Sequence, residues 1–255
     1  MVDSSRQLLR EVTTRLDRLT DLADAGGLDA AVDLMATALD KGGIVQAFGT
    51  GHSQAFAMEI AGRAGGLIPT NSIALIDVVL FGGRDPSVLA DGATLEREPG
   101  IVDELWATIH PHPEDVFVIA SNSGVNGSVV GIALAAKEHG HAVIAVTSLE
   151  HTARVTPKHP SGARLSEVAD VVIDNLAPYG DSTLSLEGGD GDIKVGAVSS
   201  MTAAFIAQLL TLGVAERIAA AGGVPPIYLS ANIPAGDEHN HRLENTYGDR
   251  LRRHA

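Results

Sequence analysis

The chain has 255 residues, 45% hydrophobic and 20% charged, which is enough to bury a full core in one large or two small domains. Its formal net charge of -14, from 32 acids against 18 bases, sets up a field that disfavours DNA, RNA and anionic membrane surfaces as partners. The absence of cysteine excludes disulfides, thiolate nucleophiles and thiolate metal sites.

Leu8, Leu9, Val12, Leu16, Leu19 and Leu22 recur at helical spacing, so the chain opens with an amphipathic helix that ends at Gly26-Gly27. Leu28 to Leu39 supplies a second helix. Beyond Lys41-Gly42-Gly43 the pattern becomes short apolar strands alternating with helices. Strands are expected at Ile44–Phe48, Ser72–Ile76, Val116–Ala120, Val143–Val146 and Val171–Ile173. An Ala-rich helix follows the first strand to about Ala64. Asp77 to Gly100 reads as irregular, ahead of a helix over Ile101–Ile109. Another helix runs to His139, a long apolar one spans Val195–Ala221, and the tail from Asp237 is polar. Val/Ile/Ala strands alternating with helices indicate an α/β fold, a doubly wound parallel sheet covered on both faces. No Pro/Ser-rich linker divides the chain, so residues 43–255 are expected as one domain carrying an N-terminal helical extension, 1–42. Met1 to Arg18 mixes charged and apolar residues. Uninterrupted apolar runs such as Val129–Ala136 fall well short of the ~18 residues that span a bilayer. A cytoplasmic protein without a membrane partner is expected.

Two segments carry most of the functional information. Gly49-Thr50-Gly51-His52-Ser53 and Ser121-Asn122-Ser123-Gly124-Val125-Asn126 each follow an apolar strand and precede a helix. Small residues with hydroxyl and amide groups at a helix start suit an anion, because the first N–H groups of a helix lack partners. Neither segment, nor the flanks Ile44–Gly62 and Asp115–Ala136, contains a Lys or Arg, so any anion here is held by neutral donors. That points to a phosphorylated small molecule. A Walker loop would need Gly-Lys-Ser/Thr, which is missing. A dinucleotide fingerprint fails at Gln54, where its third glycine belongs. Ser53 is placed to cap the first helix, and three polar side chains fan around the start of the second.

This pair of motifs resembles the sugar isomerase (SIS) phosphosugar-binding domain over about Gly43 to Ile218. Ala136-Lys137-x-x-Gly140, the strand end Ile144–Ser148, the entry Ala169-Asp170-Val171, Glu59-Ile60-x-x-Arg63-Ala64-Gly65-Gly66 and the Gly236–Asn240 tail add to the likeness. The resemblance implies a five-stranded flavodoxin-like sheet and a homodimer or homotetramer whose sites are completed by neighbouring subunits. It also implies sugar-phosphate binding by Ser121, Ser123 and Asn126, with Gly51, His52, Ser53 and Asn122 near the sugar. Asn126 departs from the usual Thr at the end of the serine loop, keeping a donor but changing its reach.

Isomerising a sugar phosphate, or eliminating across its carbons, needs groups that move a proton beside a carbonyl. Glu59 lies six residues beyond Ser53 on the same helix, with an ion pair to Arg63 as the plainer reading. Glu96 sits in the irregular segment, where a first helical turn also favours Glu. Glu238 and His239 stand in a tail dense in proton-transfer groups, and an exposed tail is the plainer reading. The pairs His110/His112, His139/His141 and His239/His241 lack a third ligand nearby, so no metal is expected, and no organic cofactor. The expectation is a cofactor-independent enzyme acting on a hexose or amino-hexose 6-phosphate, as an aldose–ketose isomerase or as a lyase or dehydratase that deprotonates C2. The alternative is a non-catalytic phosphosugar sensor.

Overall fold

Val, Ile and Ala dominate three of five short strands, as expected where helices cover both faces of a parallel sheet. In the computed structural model, which describes residues 2–91, 94–98, 100–186 and 193–252, these strands form one parallel sheet. They are β1 (Val45–Gly49), β2 (Thr70–Ile73), β3 (Val116–Ala120), β4 (Ala142–Thr147) and β5 (Val171–Asp174), in the order β2-β1-β3-β4-β5. The helices are α1 (Val2–Asp24), α2 (Asp29–Asp40), α3 (Gln54–Ile60), α4 (Asp77–Leu80), α5 (Thr94–Arg97), α6 (Ile101–Ile109), α7 (Gly127–Glu138), α8 (Leu149–Arg154), α9 (Leu165–Val168), α10 (Ser199–Ala220) and α11 (Gly236–Glu244).

Side chains alternate between the two faces along each strand, as the pleat requires. Val116, Val118 and Ala120 join Ala31, Met35, Phe56, Ile206 and Leu210 on one side, under α2, α3 and α10. Phe117 and Ile119 join Leu105, Val129 and Ile132 on the other, under α6 and α7. The second helix is thus part of the core. α10 is long and apolar enough to cross a membrane by length and composition, but here it packs along α1, α2 and α3.

Three boundaries differ from the expectation. The segment taken as the start of the long helix, Val195 to Ala197, is instead strand β7 (Lys194–Ala197), paired antiparallel with β6 (Ser182–Ser185). Asp181 sets the true helix start, since its carboxylate accepts from the N–H groups of Val198 (3.1 Å) and Ser199 (2.8 Å). The second strand begins two residues earlier than expected, and α3 ends at Ile60. The chain beyond it is held by the segment after α10: Gly65 N–H donates to the Tyr228 carbonyl and Ile68 N–H to that of Pro226. The polar tail is also structured, with α11 followed by a 3₁₀ turn at Gly248–Arg250.

The sheet order decides where a ligand belongs. The chain leaves β1 toward β2 on one side and returns to place β3 on the other, so the loops after β1 and β3 diverge at a topological switch point. In open parallel sheets the crevice at the carboxyl ends of such strands is the usual ligand site.

Candidate phosphate-binding cleft

Gly49 ends β1 because nothing larger fits: a Cβ there would lie 2.3 Å from the Ser53 carbonyl oxygen. That close approach folds Gly51–Ser53 into a 3₁₀ turn, with Ser53 N–H donating to the Thr50 carbonyl at 3.0 Å. The expected Ser53 cap does not form, since the tight turn already engages its backbone and its side chain makes no capping bond to α3. The Ser53 hydroxyl lines a cleft instead.

The second loop is pinned at Gly124, whose φ of +64° suits glycine and where a Cβ would lie only 2.9 Å from Thr147 Oγ1. Its N–H donates to Ser121 Oγ at 3.1 Å. That bond uses a lone pair of the hydroxyl and leaves its hydrogen for another acceptor. Ser123 is half-buried beside it. Asn126 occupies the N-cap position of α7, yet its side chain makes no capping bond. Its Nδ2 donates to Glu96 Oε1, and its Oδ1 is buried without a hydrogen-bond partner among the described residues.

Both loops line one narrow cleft whose free volume, about 10 Å³, is that of a single water. His52 and Ser53 from the first and Ser121 and Asn122 from the second line it with Asn175, Ser199 and Ser200, over Phe56, Ala120, Val146 and Ala203. None of these lining residues is Lys or Arg. The available donors are hydroxyls, amides and one imidazole. Ser123 and Asn126 are not part of that lining.

Glu96 joins the two loops at a second place. Its Oε2 lies 3.4 Å from where a side chain would begin at Gly51, and its Oε1 accepts from Asn126. Its backbone carbonyl accepts from Ser128 Oγ at 2.8 Å, which fastens α5 across the first turn of α7. A carboxylate is thereby held against both candidate phosphate loops.

The other proposed proton carriers lie elsewhere in the chain. Glu59 accepts from Gln208 Nε2 at 2.6 Å and pairs with Arg63, the pairing that its i+4 spacing allows. Glu238 is exposed on the first turn of α11. His239 Nε2 is 3.0 Å from the Ile227 carbonyl, and Ile227 bridges to Leu67 ahead of β2. Both tail residues therefore sit toward the amino-terminal edge of the sheet, opposite the loops. In the pair His139/His141, His139 Nδ1 meets the Ala135 carbonyl one turn back and His141 Nδ1 that of Asp115, 26 positions earlier.

Asn175, Ser199 and Ser200 are cleft residues that sequence reasoning missed. Asn175 directly follows β5, at the carboxyl edge where ligands bind, and that position was its only signal. Ser199 and Ser200 were hidden inside a helix assumed to start at Val195. Beside them, His151 Nδ1 accepts the Gly180 N–H at 3.1 Å. Burial lowers the His151 pKa, with the charge of Asp181 opposing. A separate cavity of about 730 Å³ lies between α2 and the end of α10, and is lined by none of the loop residues.

A model of the SIS domain matches residues 7–148, more than half of the chain. A UPF0309 protein of Listeria monocytogenes is 36% identical over 95% of both chains. Another, from Caldanaerobacter subterraneus, is 31% identical over 96% of this chain and 97% of its own. Among solved structures, a phosphoheptose isomerase from Francisella tularensis superposes with a TM-score of 0.54 at 15% identity, covering 84% of this chain and 97% of that one. One from Neisseria gonorrhoeae gives 0.51 at 18% identity, covering 84% and 98%. At such identities the structural likeness establishes the fold. The domain match and the full-length relatives establish the lineage: the chain belongs to the SIS domain family.

Proposed function

We propose that the protein is a cofactor-independent enzyme that binds a hexose or amino-hexose 6-phosphate and moves a proton on its open-chain form. The observation that carries this reading is the meeting of the two loops in one cation-free cleft at the β1/β3 switch point, with the Glu96 carboxylate held against both. Phosphoheptose isomerases among the structural neighbours support a sugar phosphate as the ligand class.

In this reading Ser121, Ser123 and Asn126 anchor the phosphate, and Gly51, His52, Ser53 and Asn122 contact the ligand beside it. Hydrogen bonds to a charged group contribute about 1.5–3 kcal/mol each, so four neutral donors suffice for a dianion. Glu96 is the proton carrier that the geometry favours. Removing the proton at C2 gives an enediolate. Returning the proton to C1 completes an aldose–ketose isomerisation, whereas expelling a C3 substituent completes an elimination. Glu59 and His239 are tied down and Glu238 is exposed, all three away from their own cleft, so a catalytic role for them requires a neighbouring subunit. Exposed Met58, Met201 and Leu212 on α3 and α10 support self-association. The cytoplasm, where sugar phosphates reside, is the compartment that goes with this activity.

The test follows glucose 6-phosphate and N-acetylglucosamine 6-phosphate by NMR in heavy water. A new ketose carrying deuterium at C1 identifies an isomerase, and loss of the C3 substituent a lyase. Binding without exchange would overturn the enzymatic reading in favour of a sensor. Absence of binding would overturn phosphate recognition itself.

A further inference from the structure

The polarity of one donor in the cleft is set by a relay that ends in the backbone. Ala177 N–H donates to Asn175 Oδ1 at 3.0 Å. A backbone N–H can only donate, so this bond fixes which end of the Asn175 amide is oxygen. The other end, Nδ2, donates to Asn122 Oδ1 at 3.1 Å. Asn175 is buried, at 2% exposure, and its own N–H is held by the Thr147 carbonyl at 2.9 Å, so the side chain has no freedom to reverse. Asn122 is fixed in turn. Its backbone carbonyl accepts from Ser148 N–H at 3.2 Å. With its Oδ1 engaged, its Nδ2 has no acceptor among the described residues, and its side chain lines the cleft beside Ser121.

We infer that Asn175 is a positioning residue that locks the Asn122 amide with its NH₂ toward the bound anion, so that the cleft presents a donor at that point. The inference rests on the phosphate-binding reading above. Reversing Asn122 alone would set two NH₂ groups against each other, and reversing both would set the Asn175 NH₂ against the Ala177 N–H. The orientation is therefore dictated from outside the loop, by a residue more than fifty positions further along the chain. Neutral donors must be aimed to hold an anion, because a misaimed amide offers it a repelling oxygen.

Asn175→Asp tests this with little change of shape. One carboxylate oxygen still accepts the Ala177 N–H, while the other can only accept, so Asn122 must turn its NH₂ inward and show its oxygen to the ligand. Affinity for inorganic phosphate and glucose 6-phosphate is measured by calorimetry for wild type, Asn175→Asp, Asn122→Ala and the double variant, with folding checked by melting. Asn175→Asp is expected to weaken binding at least tenfold in the native background and less than threefold when residue 122 is Ala. Wild-type affinity in a folded Asn175→Asp protein would overturn the relay and leave phosphate recognition standing. An equal loss in both backgrounds would also overturn it, because the new charge would then act directly. A wild-type protein that binds neither probe would overturn both readings.

Should Asn175→Asp not fold, the partly exposed Asn122→Asp gives the same decision. It still accepts from Asn175 but shows the ligand an oxygen. Unchanged affinity in the folded variant overturns the relay, as it does for Asn175→Asp. In the wild type, the side-chain NH₂ resonances of Asn122 are expected to move as phosphate is added, and stationary resonances would sink the inference.

Discussion

Glu96 takes the amide hydrogen of Asn126 at the first turn of α7, so the donor expected to meet a phosphate is already committed to a carboxylate of the protein itself. Two anions cannot share that donor at close range without repulsion. Binding of a phosphate at Asn126 therefore requires the Glu96 side chain to withdraw toward the sugar, where its proposed proton transfer takes place.

Glu96→Gln separates the two roles. The neutral amide removes the repulsion, so affinity for glucose 6-phosphate is expected to rise several-fold, while exchange of the C2 proton falls by 10²-fold or more. Calorimetry and deuterium incorporation, measured on the same preparation, check the pair. Weaker binding together with undiminished exchange would remove Glu96 from the chemistry.

Ser121 and Ser123 should respond differently to truncation. The Ser121 hydroxyl accepts the buried Gly124 N–H, so Ser121→Ala is expected to cost about 1–3 kcal/mol of stability as well as ligand affinity. Ser123→Ala should leave the melting temperature near the wild-type value and weaken phosphate binding by about 1.5–3 kcal/mol. Denaturant titration and calorimetry on both variants test the contrast.

Gly124→Ala probes the loop backbone. Its left-handed conformation penalises a side chain by about 1–2 kcal/mol, and the contact with Thr147 Oγ1 adds crowding of similar size. A loss of about 2–4 kcal/mol in urea unfolding is expected, with weakened phosphate binding. A loss below 1 kcal/mol would mean that the loop relaxes freely.

His151 makes the segment that caps α10 sensitive to pH. Its lowered pKa means that the folded state favours the neutral ring, whose Nδ1 accepts the Gly180 N–H next to the Asp181 cap of α10. This contribution is complete above the unfolded value of 6.5 and is lost as pH falls through it toward the lower folded value. Between pH 7.5 and 5.5 the wild type is expected to lose more melting temperature than His151→Gln, which keeps an acceptor but does not titrate. Parallel pH profiles would contradict that role.

The sequence displayed the fold well where burial on two faces leaves a continuous apolar signature, as in Val116–Ala120. It failed where contacts between distant segments decide the structure. Lys194–Ala197 reads as helix because Ala and Val continue into α10, and only pairing with Ser182–Ser185 makes it a strand. The two loops were readable because two such strand–loop–helix junctions coincide in one chain, where either alone would pass for ordinary turn and cap chemistry. Glu96 was singled out by its place in the segment after the second strand, but its contact with Asn126 spans 30 positions and has no local signature. Asn175 was invisible for the same reason: a single Asn after a strand looks like an ordinary turn residue until the partner 53 positions earlier is known.

The Asp115 carboxylate is buried at the start of β3, where it accepts from Ile44 N–H, Gln46 Nε2 and His112 N–H and pairs with Arg250. Arg250 also donates to the Gly42 carbonyl, 208 positions back, at 2.7 Å. During synthesis, the sheet is complete in sequence by Asp174, yet this interior charge has no cation until the ribosome has released a further seventy-odd residues. The nascent domain must wait for its last clasp, and a ribosome that stalls before Arg250 leaves behind a sheet whose basal carboxylate is held by neutral N–H donors without the Arg250 cation.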